Sequence, residues 1–142
     1  MSVLEPADEL AILRLVALAD ACATRRDGDG YAALFAEDAT MDGDMGQVSG
    51  RAALAAAVAA VWAAEPAGTL HLTCNATVSG TADDPVVASI VVMLSTGADG
   101  VSLSAADVVQ HVARTETGWR IRSRQIMIRP TGPDPTNEEV RH

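Results

Sequence analysis

At 142 residues the chain has room for one domain with a tail and not for two. A formal net charge of −9 argues against nucleic acid, whose phosphates select Lys- and Arg-rich surfaces, and no run approaches the roughly 20 apolar residues of a spanning helix. The N-terminal MSVLEPADEL lacks the basic start and apolar core of a signal peptide, so a soluble cytoplasmic protein is expected, partnered by neither membrane nor nucleic acid.

Glu5-Pro6 suits a helix start, because a proline in the first turn removes an N–H that would be unpaired anyway. Leu10, Leu13, Val16, Ala17, Asp20 and Thr24 follow at helical spacing and predict one apolar stripe running to about Arg26. Asp20 lies on that stripe, where a carboxylate must either bond to a neighbouring element or line a cavity. Asp27-Gly28-Asp29-Gly30 reads as a turn, and Tyr31 to Phe35 as a short helix docked on the first. Tyr31 packs in the core or turns its phenol to a pocket.

Residues 37–50 read as two short strands about a glycine-rich turn, with Asp42 and Asp44 sharing a strand face if the segment is extended. They overhang a pocket mouth or belong to a solvated turn. From Arg51 to about Ala64 an alanine-rich helix follows, with Val58, Val61 and Trp62 on its packing face and Glu65-Pro66 as its stop.

Thr69 to Val78 alternates cleanly, so it is predicted as a strand. Thr69, His71, Thr73, Asn75 and Thr77 share one uncharged polar face, of the kind that orients a ligand in a small-molecule pocket or simply meets solvent. Val86 to Leu94 is apolar on both faces and predicts a strand inside a sheet, covered on one side by helices and on the other by a second sheet or subunit. Val101 to Arg114 fits either period but is rich in β-branched residues, and Thr115 to Gly118 turns it into a last strand, Trp119 to Ile128. Arg120, Arg122 and Arg124 are expected on one face of that strand, a positive strip that either pairs with neighbouring acids or binds a ligand. Pro130 ends the sheet, giving a domain over residues 1–129 and a turn-rich tail over 130–142 that is expected to be disordered.

Cys22 and Cys74 lack zinc or redox spacing, and His71, His111 and His142 lack a metal motif, so neither metal nor cofactor is expected.

Four segments, Tyr31-Ala-Ala-Leu-Phe-Ala-Glu-Asp-Ala-Thr40, Gly50-Arg51, His71 to Asn75 and Arg114-Thr-Glu-Thr-Gly-Trp-Arg-Ile121, occur in this order within helix, short helix, hairpin, helix and four strands. This arrangement resembles the SnoaL-like branch of the nuclear transport factor 2-like superfamily over roughly residues 6–129. The resemblance implies an α+β fold in which a strongly curved mixed sheet wraps N-terminal helices into a cone with a blind apolar cavity, and a homodimer through the convex face. It implies His71 as general acid/base, Asp20 as its partner, and Asn75 as a donor to a developing oxyanion. Tyr31, Asp42, Thr73 and Trp62 are the remaining candidate substrate contacts. Leu18, Ala23, Thr24, Val108 and Gln110 depart from acids or tyrosines frequent in relatives. Two readings follow: a cofactor-free lyase, isomerase or cyclase for a small, largely apolar carbonyl or polyketide-like substrate, or a non-catalytic dimeric domain that binds an apolar ligand.

Overall fold

The computed structural model describes residues 2–130, so the tail prediction over 131–142 lies outside the described residues. Helix α1 spans Pro6–Arg25, with Asp8 and Glu9 in the first turn, where negative charge complements unpaired N–H groups. It stops where Arg26 turns left-handed at φ 57° and its N–H reaches back to the Ala23 carbonyl. Helix α2, Gly28–Ala33, is capped by Asp27, whose Oδ1 accepts from the Gly30 N–H at 2.9 Å. Phe35 is therefore not in the short helix but opens strand β1, Phe35–Gly43, which pairs with β2, Gly46–Ser49. Helix α3 takes Arg51–Ala64 between Gly50 and Glu65, as read from the sequence.

Four long strands complete the chain: β3 Leu70–Thr81, β4 Asp84–Gly97, β5 Gly100–Thr115 and β6 Gly118–Ile128. The sheet order is β2-β1-β6-β5-β4-β3, antiparallel except for the parallel β1–β6 pair, so the sheet is mixed and unclosed. No helix among the described residues is long and apolar enough to cross a membrane.

The core lies between the helices and the inner face of this curved sheet. Ile12 and Val16 of α1 and Leu54 of α3 meet Phe35, Val87 and Ile121, all fully buried. Tyr31 stacks obliquely on Phe35 at 5.0 Å and edge-on to Trp62 at 5.3 Å, joining α2, α3 and β1. Each fully buried large apolar side chain contributes about 1.5–3 kcal/mol. The α1 stripe is rotated from expectation: Leu10 is 58% exposed and Ala17 is exposed, while Ile12, Leu15, Ala19 and Ala23 face inward. Apolar residues surround α1, so period alone leaves its phase open.

Strand β4 lies inside the sheet, as its two-sided apolar pattern predicts. Val87, Ser89, Val91 and Ser95 are buried on the inner face. On the outer face the register brings Leu70, Leu94 and Leu103 into one row and Leu72 beside Val92, with Leu70, Leu72 and Leu103 exposed in the single chain.

The arginine strip is not a strip. Ile121 pairs with Val112 and Ser123 with His111, so Arg122 is an extra residue in β6 and forms a β-bulge. Arg120 and Arg122 lie on the opposite face from Arg124. Of the two, Arg122 is ion-paired, with Asp84 at 2.8 Å, whereas Arg120 Nη1 donates to the Trp119 carbonyl at 2.7 Å.

Candidate active site

A cavity of about 330 Å³ separates the inner face of the sheet from α1 and α3. Its floor is built from buried side chains, Asp20, Ala23, Tyr31, Met41, Val108 and Arg124, and its open end from exposed or half-exposed ones, among them Asp44, Met45, Val61, Ser102 and Ile128. The volume is at the low end of the roughly 300–1,000 Å³ of small-molecule pockets.

His71 projects from β3 into this space. Its Nε2 lies 2.9 Å from Glu65 Oε2, the residue that ends α3. A carboxylate can only accept here, so Nε2 carries the hydrogen; Nδ1 has no hydrogen-bond partner among the described residues, and in the neutral ring it is the nitrogen that holds the lone pair. The backbone on either side is tied to α1, because Thr24 Oγ1 accepts from the His71 N–H at 2.9 Å and donates to its carbonyl at 3.3 Å. Trp62 stands edge-on to the imidazole at 6.4 Å. The ring is thus fixed on three sides.

Asp20, read as the partner of His71, is engaged elsewhere. Its Oδ1 accepts from Arg124 Nη2 at 3.0 Å and its Oδ2 from the Thr73 hydroxyl, while Arg124 Nη1 donates to Gln110 Oε1 at 3.0 Å. Both members of this ion pair are buried. Burial acts to lower the Arg124 pKa, but the charges of Tyr31 and Asp20 and the hydrogen bond to Asp20 outweigh it and hold it above its ordinary value. Burial raises the Tyr31 pKa; nearby Arg124 opposes that shift, and Asp20 and Cys22 reinforce it. The phenol donates to Met41 Sδ at 3.6 Å, and the Arg124 guanidinium lies 5.8 Å from its ring centre.

Of the seven candidates, His71, Asp20, Tyr31 and Trp62 line the cavity. Thr73 sits behind them, holding Asp20. Asn75 does not reach it: the register slips between Cys74 and Thr77, and Asn75 sits exposed in that bulge at φ 53°. Asp42 is turned outward because buried Met41 takes the inward position of β1, and Asp44, in the turn beyond Gly43, lines the opening instead. The two aspartates therefore share no strand face. Thr69 and Ser95 add a buried hydroxyl pair 2.7 Å apart to the lining.

Sequence reasoning passed over Glu65, and it named Arg124 only as a member of the arginine strip, not as a cavity residue. Glu65 reads as a helix stop, and only the approach of α3 to β3 gives it a histidine. Arg124 carried a readable signal, since it stands two and four residues before the apolar Ile126 and Ile128, which also line the cavity.

The family model described as a SnoaL-like domain matches residues 5–125. No curated protein matches the chain. Among solved structures, a protein of unknown function with a cystatin-like fold from Nostoc punctiforme is 25% identical, with a TM-score of 0.81 over 94% of this chain and 98% of its own. An NTF2-like protein with a cystatin-like fold from Novosphingobium aromaticivorans is 21% identical, with a TM-score of 0.76 over 96% and 90%. A scytalone dehydratase-like protein from the same organism is 18% identical, with a TM-score of 0.75 over 89% and 87%.

Proposed function

We propose, on the premise that this chain belongs to the SnoaL-like domain family, that it is a small-molecule enzyme that moves a proton within its cavity. The reaction is a cofactor-free acid/base step, an isomerisation, elimination or cyclisation, on a small and largely apolar carbonyl compound. One observation carries this reading: His71 lines the cavity with Nε2 bound to Glu65 at 2.9 Å, which leaves Nδ1 as a fixed base.

Nδ1 takes a proton from the carbon beside the carbonyl, and the imidazolium that forms is stabilised by Glu65. The same proton is returned to oxygen or carbon later in the reaction. A base held in this way contributes roughly 10²–10⁴-fold to rate. Trp62, Tyr31, Val91 and Met93 supply apolar walls that exclude water from the carbanionic intermediate. Asp20 takes no proton in this scheme, because both its oxygens are in use.

The chain is proposed to act as a homodimer joined through the outer face of β3, β4 and β5. The row of Leu70, Leu94 and Leu103 with Leu72 beside it supports this, as an apolar patch that a single chain leaves in water.

The test uses 2-tetralone, whose C1 protons are acidic and whose skeleton suits the volume. Proton NMR in D2O should show enzyme-catalysed exchange at C1, lost in His71→Ala. Exchange no faster than in buffer, or equal rates in wild type and His71→Ala, would replace the enzyme with a dimeric ligand-binding domain.

A further inference from the structure

One of the three guanidinium nitrogens of Arg124 has no protein partner. Nη2 is bound to Asp20 and Nη1 to Gln110, whereas Nε is buried without a hydrogen-bond partner. An arginine that meets a carboxylate edge-on normally gives both Nε and Nη2. Arg129 does so in this same molecule, donating to the two oxygens of Asp107 at 3.0 and 2.9 Å. Asp20 takes Nη2 alone because its other oxygen is held by the Thr73 hydroxyl. Strand β3 thus draws that oxygen away from the fork, and the Nε–H is left over.

A buried donor without an acceptor is unfavourable and rare. Three other buried side-chain atoms among the described residues share this condition, Ser89 Oγ, Gln110 Nε2 and Arg120 Nε, but none belongs to a side chain lining the cavity. Arg124 does line it, at its floor.

We propose that Arg124 Nε–H holds the carbonyl oxygen of the substrate, and that this substrate is uncharged. The assignment deepens the proton-transfer reading and rests on its placing of the substrate in this cavity. The charged or chargeable side chains of the lining are Asp20, Tyr31, Asp44, Glu65, His71 and Arg124, with three carboxylates against one guanidinium. A carboxylate ligand would shed its hydration to face those acids, with the one guanidinium already paired to Asp20. An ammonium ligand would set donor against donor at Arg124 and leave Nε unsatisfied. A ketone oxygen satisfies Nε and adds no charge. As His71 Nδ1 takes the proton, the C–H electron pair becomes the new C=C bond and the carbonyl π pair moves to oxygen. The negative charge then develops at the atom held by a charged donor, where a preformed hydrogen bond strengthens most.

Calorimetric titration of four ligands on one skeleton tests this: 2-tetralone, tetralin, tetralin-2-carboxylate and 2-aminotetralin. Wild type should bind 2-tetralone roughly tenfold or more tighter than the other three. Arg124→Lys keeps a cation opposite Asp20 but has no Nε, and should lose that margin while its tetralin affinity stays within about twofold. A measurement on wild type alone covers the case in which the variant misfolds: the infrared carbonyl band of bound, carbonyl-labelled 2-tetralone should lie below its position in a dry aprotic solvent. Equal binding of 2-tetralone and tetralin, tightest binding by the carboxylate or the amine, or an unshifted carbonyl band would overturn the assignment. A ketone margin without C1 exchange defeats the proton-transfer reading and leaves Arg124 in place; exchange without the margin does the reverse.

Discussion

If Asp20 exists to hold Arg124, removing it should cost stability, and removing both should cost little more than removing either. Asp20→Ala leaves the Arg124 guanidinium, 4% exposed, without its counter-charge. An uncompensated buried charge of this kind costs about 3–5 kcal/mol. Arg124→Met leaves the Asp20 carboxylate, 2% exposed, with only the Thr73 hydroxyl, at about the same cost of 3–5 kcal/mol. The double variant Asp20→Ala/Arg124→Met strands no charge. It loses the bonds to Thr73 and Gln110, which leaves two neutral groups unpaired at about 1–3 kcal/mol each. The cycle therefore predicts a coupling of roughly 4 kcal/mol, above the usual range for residues in contact. Urea unfolding followed by the fluorescence of Trp62 and Trp119, at one protein concentration and with matching m-values, measures all four corners. Single-variant costs that add to within about 0.5 kcal/mol would mean the two residues are not a unit, and Asp20 would again be available as a base.

Glu65→Gln should slow C1 exchange of 2-tetralone by roughly 10-fold or more with the ketone's affinity unchanged, since Glu65 stabilises the imidazolium rather than touching the ligand; equal losses in both would point to a binding role instead. Tyr31 is the only tyrosine in the chain, so phenolate absorbance reports on it alone. Burial raises its pKa above the ordinary 10.0, so the folded state holds the proton more tightly than the unfolded. That contribution to stability is complete below pH 10 and is lost as pH rises through the folded value, and a titration midpoint at or below that of the urea-unfolded chain would contradict it. Thr73→Val should free Asp20 Oδ2 to close on Arg124 Nε, bringing the 2-tetralone to tetralin affinity ratio toward one. Sedimentation at micromolar concentration should find a dimer, and Leu103→Glu, placed in the outer leucine row, should find a monomer.

Much of the architecture was legible because its boundaries carry local chemistry. Gly50 and Glu65-Pro66 bracket α3 to the residue, and the β-branched run from Val108 decides β5 against a helix. The phase of α1 was not legible, since Leu10, Leu18 and Leu13 compete with Ile12 and Leu15 for the core, and only the position of the sheet selects among them. His71 was found because an imidazole on an otherwise uncharged strand face is conspicuous. Its partner was not, because Glu65 reads as a helix end and the contact depends on how α3 meets β3.

Asn75 and the arginine strip were misplaced for one reason: strand alternation was carried through a bulge. Between Cys74 and Thr77, β3 advances three residues while β4 advances two, from Ile90 to Ala88, so Thr77 turns outward and Val78 inward. In β6 the extra residue is Arg122, and in β1 the register shifts between Phe35 and Thr40. On each strand the break divides the same two regions. Phe35, Ile121 and Val78 pack into the core on one side of it, and Met41, Arg124 and His71 line the cavity on the other. A bulge bends its strand and increases the local twist, as a sheet needs in order to wrap helices at one end and stand away from them at the other. The bends that open the cavity therefore reset the parity that decides which side chains enter it. Arg124 follows the bulge of its strand and faces inward because the parity has been reset, whereas His71 and Thr73 precede the bulge of β3 and keep the inward parity that the sequence predicted.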